Sequence, residues 1–379
     1  MHKIFIFLPT FENMEGHEGT FIKPLHAFGN QLKFSKLFIV PKKNKSDTSQ
    51  NFIKILNSRS KVNFFLGRFI FNFYNILINF LKIKKQLKDI KKKDIVYLDG
   101  MCFFFKISFI FALLFKPKTN LLIMWLRFGF DDFLRRNLIK FFIFLNDKIF
   151  FSRIIFLTDN NILSEFLSKK YKIQCDFMPS IHQINYKKKK YVKKINPSKK
   201  LKILCPGTFR YEKYGKNLIS FLDKNRNCNY TLYINKNFKK TYSNKKNINI
   251  KFFGGALTRR LYERLFNLSD LVFLPYDSNL YKHRYSGIML EAINYLKFAF
   301  VSSGTPMSNE LIKFGLKNFV IDDWSELNCQ KILNAINNEA NKKNFYRLHK
   351  YHLKTHNLKN WIFKLNNILF NYGYKKVTG

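Results

Sequence analysis

The sequence predicts an α/β protein built from two parallel sheets in series. Three observations predict it. Short apolar runs alternate with stretches of helical spacing along most of the chain. At 379 residues and 46% hydrophobic content, the chain can furnish two cores of ordinary domain size. The alternation stops once, at the lysine-rich segment "HQINYKKKKYVKKINPSKK" (182–200), and then restarts. That segment has the composition of an exposed linker.

The elements follow in order. An apolar strand at 3–8 runs into a glycine-containing loop and a helix around 20–32. "KLFIVP" (36–41), "DIVYLDG" (94–100), "NLLIMWL" (120–126) and "IIFLTD" (154–159) are further strands. "NILSEFLSKKY" (161–171) is a helix behind an Asx-rich start. After the linker, "LKILCPG" (201–207), "YTLYIN" (230–235), "NINIKFFGG" (247–255), "LVFLPYD" (271–277), "FAFVSSG" (298–304) and "FVID" (319–322) read as strands. Helices are expected at 258–270, 286–296 and 307–315, the last stopped by Gly315. From Ser325 onward the pattern is helical.

Composition narrows the function classes. A net charge of +44 points to an anionic ligand, nucleic acid or membrane surface. It also fits a genome rich in A and T, because Phe, Lys, Ile and Asn are inflated together. "YKKKKYVKK" interleaves lysine with aromatics, yet no nucleic-acid-binding module is recognisable, so nucleic acid is not the expected partner. Five widely spaced cysteines without a CxxC pair argue against a disulfide framework or a structural zinc site and fit a reducing cytoplasm. The start lacks the features of a signal peptide. No uninterrupted apolar run is long enough to span a bilayer. "FFFKISFIFALLF" (103–115) and "VNFFLGRFIFNFYNILINFL" (62–81) are either core helices or helices lying in a membrane interface.

Parallel α/β sheets bind ligands outside the carboxyl ends of their strands, and two such domains facing each other form a cleft. Three loops after strands therefore carry the candidate chemistry. In "ENMEGHEGTF" (12–21), Gly16 and Gly19 flank His17 and Glu18. In "PGTFRYEKYGKN" (206–217), Arg210 and Lys213 offer a planar fork and a point charge, a pair suited to a diphosphate. In "HRYSGIMLEAINYLKF", the turn Ser286, Gly287 and Ile288 opens a helix, whose free amides and positive dipole end suit a phosphate. Glu291 lies one turn further on the same face, where a carboxylate suits a pair of vicinal hydroxyls such as those of a ribose.

The stretch 274–311 resembles the nucleotide-binding half of GT-B glycosyltransferases, specifically family four, also called glycosyl transferases group one. "GTFRYEKYG" is similar to that family's "G..R.EKG" loop, and 252–276 to the stretch preceding its acidic pair. The resemblance is in motifs over roughly 201–323 and in topology over 1–181. It implies two Rossmann-like domains facing a cleft. Residues 1–181 would be the acceptor domain, 182–200 the linker, 201–345 the nucleotide-sugar domain, and 346–379 helices packing back towards the first domain. It implies catalytic roles for His17, Arg210 and Lys213, and donor nucleotide binding by Ser286, Gly287, Ile288 and Glu291. Gly16, Glu18 and His283 would face the donor sugar or the acceptor.

Three positions depart from the family pattern. His283 stands where the first acid of the acidic pair belongs, Tyr214 precedes the expected glycine, and Lys297-Phe298-Ala299 replaces a Gly-x-Pro. The expected reaction is metal-independent, retaining transfer of a sugar from a nucleotide-diphosphate donor to a glycan or lipid-linked acceptor. An inverting enzyme would need a base, for which Glu18, Asp131 and Asp132 are the candidates. No cofactor is expected beyond the co-substrate. The expected location is the cytoplasm, at the inner face of an anionic membrane. A basic nucleic-acid-binding protein, or a relative that epimerises or only binds nucleotide sugars, is the alternative.

Overall fold

A computed structural model describes residues 3–9, 25–30, 34–42, 52–56, 65–98, 103–115, 121–126, 133–149, 153–181, 195–242, 249–254 and 257–373, single positions 26, 28, 89, 92 and 197 excepted. Two compact units divide the chain: Met1–Ile181 with Leu358–Gly379, and His182–Asn357.

The N-terminal unit holds seven strands: β1 (Lys3–Phe7), β2 (Ser35–Pro41), β3 (Phe52–Leu56), β4 (Ile95–Leu98), β5 (Leu121–Trp125), β6 (Ile154–Thr158) and β7 (Cys175–Phe177). They pair in the order β3-β2-β1-β4-β5-β6-β7, and every pairing is parallel. All residues of β4, β5 and β6 are buried, as expected when helices cover both faces of a parallel sheet. Strand side chains alternate between the two faces. Phe5 and Phe7 enter one core with Phe109 and Phe142; Ile4 and Ile6 enter the other. That second core is closed by Trp361, Ile362, Leu365 and Leu369 of the helix Leu358–Asn371, so a helix that follows the second unit in sequence completes the first core.

The C-terminal unit holds β8 (Leu201–Cys205), β9 (Tyr230–Asn235), β10 (Ile250–Phe253), β11 (Leu271–Leu274), β12 (Phe298–Ser302) and β13 (Val320–Ile321). Their order is β10-β9-β8-β11-β12-β13, again all parallel. Numbered within its own unit, each sheet begins 3-2-1-4-5-6, the Rossmann order. The order reverses between β8 and β11, which pair through Leu271 with Ile203 and Val272 with Leu204.

Two strands, β3 and β7, are absent from the sequence reading. Both are short, and β3 carries Lys54 at its centre. The domain division also differs from the expected 345/346. Helix Glu339–Thr355 stays with the C-terminal unit because Phe345 and Leu348 are fully buried in that core, Phe345 against Phe298 with ring centroids 4.5 Å apart. The return begins at Leu358. Most of the expected linker lies outside the described residues. Ile195 is fastened to the C-terminal unit by two hydrogen bonds with the Asn337 side chain. Among the described residues no helix is long and apolar enough to cross a membrane.

Candidate functional site

The loops after β8 and β11 leave the C-terminal sheet at its reversal point, where open α/β sheets bind ligands. The loop after β8 is Pro206 to Arg210. Gly207 sits at φ 91°, in the region that favours glycine, and an added Cβ would lie 3.3 Å from Ile288 Cδ1. The loop therefore runs directly against the first turn of the helix Gly287–Asn294. Gly207→Ala is expected to lower stability by roughly 1–2 kcal/mol through strain and crowding, measured by denaturant unfolding.

Arg210 precedes the short helix Tyr211–Tyr214 in extended backbone. Its guanidinium donates to the Tyr281 hydroxyl at 3.3 Å and lies 3.4 Å from Glu212 Oε1, and its side chain remains half exposed. Lys213 is pulled inward, with its ammonium 5.2 Å from the centre of the Tyr276 ring. Burial, reinforced by the Arg210 charge, pulls the Lys213 ammonium down to about 8, against the opposing pull of Glu212 and Glu291. A buried ammonium destabilised by burial and by a neighbouring arginine gains from an arriving anion.

Ser286 precedes the helix Gly287–Asn294 without a capping bond from its side chain; its hydroxyl lies 3.2 Å from that of buried Tyr276. The next helix in the sheet behaves differently. Pro306–Lys313 begins with a closed capping box, in which Thr305 Oγ1 accepts from Ser308 N at 3.2 Å and Ser308 Oγ accepts from Thr305 N at 3.1 Å. So the helix start carrying Gly287 and Ile288 presents its first amides without a side-chain cap, and the neighbouring start does not. Glu291, one turn on, accepts a hydrogen bond from the Tyr262 hydroxyl. Burial and the neighbouring Glu291 carboxylate push the Tyr262 phenol far up, which keeps it a donor.

Of the residues singled out in the sequence, Arg210, Lys213, Ser286, Gly287, Ile288 and Glu291 gather around this one reversal point. His283 lies on the same connection, partly buried in the turn between the helix Ser278–Tyr281 and Ser286. Gly16, His17 and Glu18 lie outside the described residues, as do Asp131 and Asp132. Among the described residues, no group of three His, Cys, Asp or Glu side chains could hold a metal ion.

Sequence reasoning missed the polar supports of the site. Asn217 donates to the Pro275 carbonyl and to Ser302 Oγ, both at 3.2 Å, which ties the end of β11 to the end of β12. Trp324 donates to the same Ser302 oxygen at 3.0 Å. Tyr285 donates to one oxygen of Glu310, and His352 Nε2 lies 2.9 Å from the other. This Tyr285–Glu310–His352 chain fixes the residue before Ser286 to two helices.

No protein-family model matches the sequence, and no curated protein matches it. Solved structures do. A sucrose-phosphate synthase from Thermosynechococcus elongatus is similar over 98% of this chain and 99% of its own, with a TM-score of 0.68 and 9% identity. A trehalose-6-phosphate synthase, studied with bisubstrate glycomimetics of glycosyl transfer with retention, is similar over 97% of this chain and 99% of its own, with a TM-score of 0.61 and 10% identity. An S. aureus TarM variant bound to fondaparinux, α-GlcNAc-glycerol and UDP is similar over 77% of this chain and 58% of its own, with a TM-score of 0.55 and 15% identity. With two Rossmann-ordered parallel sheets and a final helix returned to the first, the chain has the fold of the GT-B glycosyltransferases.

Proposed function

We propose that the chain is a glycosyltransferase. It moves a sugar from a nucleotide-diphosphate donor to a glycan or lipid-linked acceptor, with retention of configuration, in the synthesis of envelope polysaccharide or glycolipid. One observation carries the reading: two cations and one carboxylate surround an uncapped helix start at the reversal point of a Rossmann-ordered sheet. Negative charge grows on the leaving diphosphate as the glycosidic bond breaks, and prepositioned donors stabilise it best. Arg210 and Lys213 supply charge, and the Gly287 and Ile288 amides supply directed dipoles. Glu291, held by Tyr262, accepts from the ribose hydroxyls. The UDP in the TarM complex and the retention described for the trehalose-6-phosphate synthase support the same reading. In this reading His17 has a catalytic role, and Gly16, Glu18 and His283 face the donor sugar or the acceptor.

A thermal-shift panel of UDP-, GDP- and ADP-sugars tests the proposal. The matching donor is expected to add about 2.7 kcal/mol of stability at a hundredfold excess over its Kd. Glu291→Ala should weaken that donor roughly 10- to 100-fold, the worth of hydrogen bonds to a charged acceptor. Tight oligonucleotide binding at physiological salt, with no response to any nucleotide sugar, would sink the proposal.

A further inference from the structure

The middle of the helix Phe65–Gln86 departs from the usual polarity, with asparagines inside and large apolar side chains outside. A surface helix of a water-facing domain turns its apolar stripe inward and its polar residues out. Here Asn75 and Asn79 are 6% and 4% exposed, in the same four-residue row as fully buried Ile83 and Leu87. The opposite row carries Phe73, Leu77 and Leu81, which are 58%, 49% and 61% exposed, with Tyr74 beside them. The next step along that row is Lys85, exposed like Lys84 and Lys88. The outer face is therefore apolar along its middle and cationic at its carboxyl end.

The neighbouring helix Phe103–Leu114 widens this face. Phe111 and Phe115 are both exposed, and Phe115 packs on Phe80 with ring centroids 5.7 Å apart. Lys84 Nζ sits 4.0 Å over the Phe115 ring, so charge and aromatic surface meet at one place. No acid occurs in residues 65–88 or 103–118. A second copy of the chain would bring the same patch, which holds no acid to pair with these lysines. A surface carrying negative charge above an apolar layer meets both halves of the face.

We propose that the outer face of this helix docks on an anionic lipid bilayer. The helix lies in the plane of the interface, with Phe73, Tyr74, Leu77 and Leu81 in the headgroup–acyl boundary and Lys84, Lys85 and Lys88 on lipid phosphates. The face belongs wholly to the N-terminal unit and does not depend on the transferase reading.

The test is co-sedimentation of the full chain with vesicles of phosphatidylglycerol and phosphatidylcholine in equal parts, against vesicles of phosphatidylcholine alone. The parent chain is expected to partition into the mixed vesicles and to leave them as salt rises. Leu77→Asp/Leu81→Asp and, separately, Lys84→Glu/Lys85→Glu/Lys88→Glu should each lower partitioning by roughly tenfold or more. Leu268→Asp, an exposed change in the other unit, should not alter it. Leu77→Trp gives a reading independent of those variants' folding: its emission should shift to the blue with mixed vesicles only. Failure of the parent to bind mixed vesicles, or unaltered binding by both multiple variants, overturns the proposal. So does a parent dimer in solution that Leu77→Asp/Leu81→Asp converts to a monomer while vesicle binding is absent, which would assign the face to a second copy. A donor-induced thermal shift that persists in the Leu77→Asp/Leu81→Asp chain separates this outcome from that of the transferase test.

Discussion

Replacing Lys213 by methionine is expected to lower donor turnover by about 10²–10³-fold, the usual effect of removing one preorganised partner of a developing negative charge. Methionine keeps the packing against Tyr276, so the fold should persist and the loss should fall on kcat. Lys213→Arg should recover only part of it, because the guanidinium is wider and the site already holds Arg210. The pH dependence is the sharper signature. In the ligand-free protein, burial and the Arg210 charge bring the ammonium down to about 8. A bound diphosphate places negative charge beside it and raises that value, so above pH 8 binding must take up a proton. Nucleotide affinity should thus be level below about pH 8 and weaken by up to about tenfold per pH unit above it. The stability of the ligand-free protein should run the other way. The folded value lies below the ordinary lysine value of 10.5, so the unfolded chain holds more protons between the two and stability rises with pH there. Calorimetric titration from neutral to alkaline pH reads the affinity. A profile that is flat in the parent and unchanged by Lys213→Arg would remove Lys213 from the diphosphate site.

The second large effect is expected at Glu310. Its carboxylate joins Tyr285 to His352, and the His352 side chain is fully buried. Glu310→Ala leaves a buried imidazole and a partly buried tyrosine without this shared partner, at a cost of roughly 2–4 kcal/mol. Nucleotide affinity should fall as well, because Tyr285 precedes the uncapped turn at Ser286. Burial pushes the Glu310 carboxyl up, but His352, Tyr285 and His356 together outweigh it and hold the group below its ordinary range. A depressed carboxyl contributes stability that is present above the unfolded value and lost as pH falls through the folded one. The parent should therefore lose stability in acid faster than Glu310→Ala does. Parallel denaturant curves across the acid range would count against the network.

Most strands were legible in the sequence because each carries a local signal, whereas the short β3 and β7 were not. The burial of β5 and β6 on both faces shows as the unbroken apolar runs "LLIMW" and "IIFL". The helix Asn161–Tyr171 shows its own start, where Asn160 accepts from Leu163 N at 2.8 Å. Arg210 and Lys213 stand out by position, in the connection that follows β8, and Glu291 by its place one turn into the helix Gly287–Asn294. What stayed hidden comes from contacts between distant segments. Tyr285, Glu310 and His352 are unremarkable separately and acquire meaning only when folding brings them together. The boundary at 358 was hidden for the same reason. Helical spacing continues across it, and only Phe345 and Trp361 reveal that successive helices serve different cores.

The return of the helix Leu358–Asn371 to the first sheet sets an order of events during synthesis. Domains usually fold from the amino end as the chain emerges. Here the second unit is a single continuous segment, so its core can close while translation is still under way. The first unit cannot finish then. Until Trp361, Ile362, Leu365 and Leu369 leave the ribosome, the sheet face bearing Ile4, Ile6, Tyr97 and Trp125 lacks that part of its cover, and only residues such as Leu25, Met178 and Ile181 shield it. The nascent chain thus carries a partly open apolar surface until residues 358–371 have been made, and a helix made after the whole second unit closes the domain that was begun first.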